Sequence, residues 1–99
     1  MLCYVAHKYG GDPQNIEKAK NITHALQCLD PENTYITPLL AFSHMGYCEC
    51  GYDEEMEHCL ELLRMCDILI VASDLSKGVE LEILEAQEMG MEIKYFERR

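Results

Sequence analysis

The sequence predicts one α/β domain built on an open parallel sheet. Apolar runs alternate with amphipathic helical stretches along all 99 residues, with no internal repeat. The run Asp67–Ala72 is almost wholly aliphatic, the pattern of a strand buried on both faces. Helix-start and helix-stop residues stand at the joins: Asp12-Pro13, Asp30-Pro31, Pro38 and Gly90.

Leu2 to Ala6 is the first apolar run and reads as a buried strand. A turn, His7 to Gly11, leads to Asp12 as N-cap and Pro13 as the first helical residue. Ile16, Ala19, Ile22, Leu26 and Leu29 recur at helical spacing as far as Asp30-Pro31. Thr34 to Thr37 is β-branched and aromatic, a second strand that Pro38 ends. Leu39 to Tyr52 shows no period, and 14 irregular residues in so small a domain predict a functional loop. Asp53 opens an acidic helix with Met56, Cys59, Leu60 and Leu63 on one face. After strand Asp67–Ala72 comes the turn Ser73 to Gly78, then a third helix, Val79 to Met89. Gly90 is placed as the residue past that helix, and Met91 to Phe96 as a fourth strand.

Strand–helix–strand repeated in this way predicts a three-layer, flavodoxin- or Rossmann-like sheet of four strands in order 2-1-3-4 with three helices. Ligands of such sheets bind beyond the carboxyl ends of the strands, where the winding reverses. That rule brings together the turns His7–Asp12 and Ser73–Gly78, with the Pro38 loop beside them.

Apolar residues are 48% and charged residues 26% of the chain, the balance of a folded domain. A net charge of −10 repels phosphate backbones and anionic lipid, which argues against nucleic-acid and membrane-surface roles. The longest aliphatic stretch is too short to span a bilayer, and the N-terminal residues lack a signal-peptide layout. A cytoplasmic protein is expected. Its six cysteines then read as reduced thiols, with Cys3, Cys28, Cys59 and Cys66 at apolar positions. His44, Cys48, Cys50, His58 and Cys59 are the alternative, a zinc site. Cys48 and Cys50 are closer than the ligand pairs of zinc knuckles, and no second well-spaced pair follows, so no metal or cofactor is expected.

On the third helix Val79, Ile83, Ala86 and Gly90 form the stripe expected to face the sheet. Glu82 falls at its margin, between the small residues Gly78 and Ala86, where a carboxylate has room to reach the crevice. A glutamate at such a boundary bends to solvent more often than not. Leu81 and Leu84 lie away from the stripe and suggest a contact between subunits, so a dimer or larger oligomer is expected.

The segment from Asp67 to Gly90 resembles the signature of the nucleoside 2-deoxyribosyltransferase-like superfamily: an Asp opening a hydrophobic strand, a Ser/Gly turn, then Gly78-x-x-x-Glu82-x-x-x-Ala86-x-x-x-Gly90. Tyr4 to Asn15 resembles that family's first strand and turn, most closely in its small bacterial and phage members. The resemblance implies that Glu82 is a nucleophile that attacks the anomeric carbon of a deoxynucleoside and holds the sugar as an ester. It implies that Tyr4 orients Glu82 and that Asp12 contacts base or sugar, unless Asp12 is spent as the N-cap. Asp67 is expected to order the start of its strand. Ser76, Lys77 and Gly78 open a helix and can hold a sugar hydroxyl or phosphate. Lys8, Tyr9, Gly10, Pro38 and Ser73 complete the expected substrate-binding set. His7, where the family often has a Gly-rich turn, is the candidate for protonating the leaving base. The expected function is thus a transferase or hydrolase of nucleoside or nucleotide N-glycosidic bonds. The alternative is a non-catalytic nucleotide-binding protein on the same fold, favoured by a sequence that ends at Arg99, soon after the fourth strand.

Overall fold

A computed structural model describes residues 1–44 and 51–96, with backbone alone at 51–53. Its elements run β1 (Leu2–Ala6), α1 (Pro13–Leu29), β2 (Thr34–Ile36), α2 (Pro38–Ala41), α3 (Gly51–Arg64), β3 (Ile68–Val71), α4 (Lys77–Glu88) and β4 (Glu92–Tyr95). The four strands form one all-parallel sheet in the order β2-β1-β3-β4. The strand order and the α/β class are those the sequence predicts.

The expected single irregular stretch after β2 instead begins with a short helix, α2, so the described chain has four helices. Proline supplies the reason. Its fixed φ suits the first helical position as well as it ends a strand, and Thr37 takes the N-cap place. Two helices also start earlier than expected: α3 at Gly51, and α4 at Lys77, where the Ser76 hydroxyl caps Val79 N–H at 3.3 Å.

Strand alternation divides the core. Tyr4, Ala6, Leu69 and Val71 pack with Leu63 of α3 and with Val79 and Ala86 of α4. Cys3, Val5, Ile68 and Ile70 point the other way, where Ile22 and Leu26 of α1 lie. Asp67 locks the start of the central pair: Leu2 N–H donates to its carboxylate and Asp67 N–H donates to the Leu2 carbonyl, each at 2.8 Å. Edge strand β4 carries exposed Glu92 and Lys94, charges that discourage further strand pairing.

Some expectations from the helical pattern fail at helix ends and sides. Leu29 is 81% exposed and Cys28 is exposed, both in the last turn of α1. Leu84 is exposed as expected, while Leu81 is half-buried. The described cysteines are free, with Cys3 and Cys66 buried. No helix among the described residues is long and apolar enough to cross a membrane.

Asp12 is exposed and caps α1, its carboxylate accepting Gln14 N–H at 2.9 Å. Asp12→Ala is expected to lower stability by about 1 kcal/mol, read as the midpoint of urea unfolding. A fall in ligand affinity without that loss would give Asp12 a binding role instead.

Candidate active site

The two turns at the carboxyl ends of β1 and β3 are clasped together. Lys8 N–H donates to the Ser73 hydroxyl at 2.9 Å, and the Lys8 ammonium lies 3.3 Å from Asp74. The Tyr9 carbonyl accepts from Asp12 N–H at 3.1 Å and from the buried Asn15 amide at 2.8 Å. Gly10 and Gly11 bend the chain between them with φ of 60° and 78°, a region that side chains disfavour. All but the Lys8–Asp74 contact tie down a backbone group of the turn.

Beside the clasp lies a cavity of about 420 Å³, within the range of about 300–1,000 Å³ usual for small-molecule sites. One side is the β1–α1 turn, with His7, Tyr9 and Gly10, backed by Ile16. A second is Pro38, Leu39, Phe42 and Ser43, from α2 and the residues after it. Glu55, Met56 and Cys59 of α3 form a third. Ser76 to Val79 and Glu82 close the cavity from the start of α4. Ile16, Pro38, Leu39, Phe42, Met56 and Val79 give it apolar surface that suits a flat ring, beside polar groups from each wall.

Glu82 is the most unusual group in that wall. Only 4% of it is exposed, although it is a carboxylate. The expected place at the margin of the helix stripe is corrected: Val79, Glu82 and Ala86 are the buried residues of α4. The helix packs against α3 as well as against the sheet, which widens the buried arc toward Glu82. Tyr4, fully buried in β1 and 78 residues away in sequence, donates its hydroxyl to a Glu82 carboxylate oxygen.

Burial sets the protonation of this cluster. Loss of water pushes the Glu82 carboxyl up to about 7, against the opposing pull of the Tyr4 hydrogen bond. Burial, and next the Glu82 charge, hold the Tyr4 hydroxyl well above its ordinary value, so it stays a donor. Burial likewise pushes the Cys59 thiol up to about 12, with the Glu82 charge adding to it. Near neutrality the pair is therefore a tyrosine O–H on a carboxyl group that burial holds toward its protonated form.

Burial of Glu82 couples folding to pH. The folded protein holds the proton to about pH 7, whereas an unfolded chain releases it near 4.5. Stability from this group is therefore full below about pH 4.5 and falls as pH rises to 7, by about 3 kcal/mol. Glu82→Gln is expected to remove that slope. Wild-type and variant unfolding free energies measured from pH 5 to 8 should converge at the acid end and favour the variant at pH 8. A constant difference between them would refute the shift.

His7 lines the cavity and is 6% exposed. Its Nδ1 lies 2.7 Å from the Lys8 carbonyl, which can only accept, so Nδ1 carries the hydrogen. Of the other residues expected from sequence, Tyr9, Gly10, Pro38, Ser76, Lys77 and Gly78 line the cavity. Lys8, Asp12 and Ser73 do not line it, being engaged in the clasp and the cap. Tyr4 acts from beneath, through Glu82.

Sequence reasoning did not place Glu55, Cys59 or Phe42 at the cavity. The spacing of Glu55 and Cys59, one helical turn apart, was the available signal, but Cys59 reads as a core residue and Glu55 as part of an acidic solvated face. Of the zinc alternative, Cys48 and Cys50 lie outside the described residues. His44 and His58 flank the Phe42 ring at 6.5 and 6.2 Å, and no cluster able to hold a metal occurs among the described residues.

Comparison of the chain with family models, with curated proteins and with solved structures gave no match.

Proposed function

We propose that this protein cleaves the N-glycosidic bond of a nucleoside or nucleotide, with Glu82 as nucleophile, as a hydrolase or a transferase. The observation that carries the reading is the buried Tyr4–Glu82 pair in the wall of a small-molecule cavity. Burying a carboxyl this way costs stability above pH 4.5, and a fold that keeps it beside a cavity puts it where a sugar's developing positive charge would meet it.

In the first step a Glu82 oxygen bonds to the anomeric carbon, the carbon–nitrogen bond breaks, and its electron pair leaves with the base, which takes up a proton. The sugar is then an ester of Glu82. In the second step water, or a second base, attacks the same carbon, the ester opens, and the proton of the attacking group is released. The cationic character of the sugar at each transition state favours ionised Glu82, and Tyr4 fixes which oxygen is free to attack. Phe42 and Met56 offer apolar surface for the base. Lys77 and the first amides of α4 suit a sugar hydroxyl or a 5′-phosphate.

The test is incubation of the purified protein with 2′-deoxynucleosides and 5′-nucleotides, with and without a second base, followed by chromatography for free base. Release of base supports the reading. Stoichiometric binding with no release would make the protein a nucleotide-binding module instead.

A further inference from the structure

Given the reading of Glu82 as nucleophile, on which this rests, we propose that Glu55 is the second carboxyl group of the reaction and hands its proton to the departing base. Among the described residues lining the cavity, Glu55 and Glu82 are the carboxylates, and they stand on different helices, α3 and α4. Cys59 is near enough to the Tyr4–Glu82 pair for both to perturb its thiol, and the charge of Glu55 raises that thiol too. Glu55 lies four residues before Cys59 on the same face of α3, about 6 Å along the helix axis.

The direction of that step matters. α3 connects parallel strands, so it runs back from the carboxyl edge of the sheet, and its earlier residues lie farther out. Glu55 thus stands one turn outward from Cys59, on the cavity that Glu82 also lines. A buried nucleophile and a less buried acid on one cavity fit the division of labour of retaining glycoside cleavage. Burial raises the Glu55 carboxyl from its ordinary value. The other titratable groups of the cavity are His7 and Tyr9 from the β1–α1 turn, Lys77 and Glu82 from α4, and Cys59 on its own helix.

The step balances. As the carbon–nitrogen bond breaks toward the base, the Glu55 proton moves to the base nitrogen and Glu55 becomes a carboxylate. In the second step that carboxylate takes a proton from the attacking water or incoming base, which restores the starting state. One proton shared between two carboxyl groups gives a bell-shaped dependence of kcat/KM on pH.

The experiment compares two leaving groups: the natural base of 2′-deoxynucleosides, which needs a proton, and nitrophenolate from p-nitrophenyl 2-deoxyriboside, which does not. Glu55→Gln is expected to lose on the order of 10²–10⁴-fold in kcat/KM on the nucleosides. Its loss on the nitrophenyl substrate is expected to be smaller by at least about 10-fold, with the alkaline limb of the pH profile removed. Equal losses on both substrates, or no loss on either, overturn the assignment, as does the same signature in His7→Gln and not in Glu55→Gln. Glu82→Ala separates the two readings. If it stays active, or if wild-type protein turns over neither substrate, the nucleophile reading fails and Glu55 falls with it. If Glu82→Ala is inactive on both and Glu55→Gln shows no difference between them, only Glu55 fails. Urea midpoints of each variant show whether it is folded.

Discussion

Glu82→Ala is expected to lower the rate of base release by on the order of 10³-fold or more, the largest effect on activity of any single substitution in this chain. No other described carboxylate is so deeply buried, and none other is held by a buried tyrosine. A neighbouring acid can help a bond to break, but it cannot replace the atom that forms the sugar ester. Glu82→Gln should be as inactive, because an amide of the same shape lacks the nucleophilic oxygen. It should also be the more stable protein at pH 8, since no charge is then buried against Tyr4. That pairing of lost activity with gained stability distinguishes a missing nucleophile from a damaged fold. The proposed ester has its own test: intact-mass spectrometry of wild-type protein mixed with substrate should show a sugar adduct, absent from Glu82→Ala. Undiminished base release by either variant would dismiss glycosyl chemistry at this position.

Leu69→Ala is expected to produce the largest loss of stability, about 2–5 kcal/mol. Leu69 is fully buried in central strand β3, opposite Tyr4 of β1 and Ile93 of β4, and packs in the cluster that holds Leu63, Val79 and Ala86. With strands on both sides and helices above, the walls can collapse little around a missing isobutyl group. For a domain of this size the loss lowers the thermal midpoint by roughly 10–30 °C. Leu69→Met, which keeps the volume, should lose less than about 1.5 kcal/mol. Because Leu69 is the register partner of Tyr4, the alanine variant should also loosen the Tyr4–Glu82 contact, so its activity should fall before it unfolds. A loss under about 1 kcal/mol would show that β3 is not the packed centre of the domain.

Both effects arise at places that the sequence marks unequally. Leu69 lies in an aliphatic run whose meaning is plain: side chains alternating across a sheet must be apolar on both faces when both are covered. Glu82 is ambiguous by the same kind of reading, because helical periodicity locates a residue only relative to its own helix. Whether the flank of a stripe is wet or dry depends on what lies beside it. Here the neighbour is α3, whose contact with α4 turns a marginal position into a buried one. The resemblance in Gly78-x-x-x-Glu82 raised the residue to notice, but only packing makes its carboxyl unusual. Asp12 shows the reverse: a polar residue in a suggestive turn that local capping fully explains. Lys8 and Ser73 are near the crevice, as expected, yet spend their hydrogen bonds joining its two sides.

Local rules of the chain, acting over a few residues, determined the strands, their parallel order and the edge of the sheet where a crevice must open. Periodicity, proline, capping groups and the right-handed crossover all operate at short range or through topology, and they are written in the order of residues. Three-dimensional contact alone decided the chemistry. The meeting of Tyr4 with Glu82 across 78 residues, the dry surroundings that lift a carboxyl to about 7, and the arrival of Glu55 on the same cavity are products of helices packing side by side. Desolvation depends on every neighbour at once, and no segment read by itself contains it.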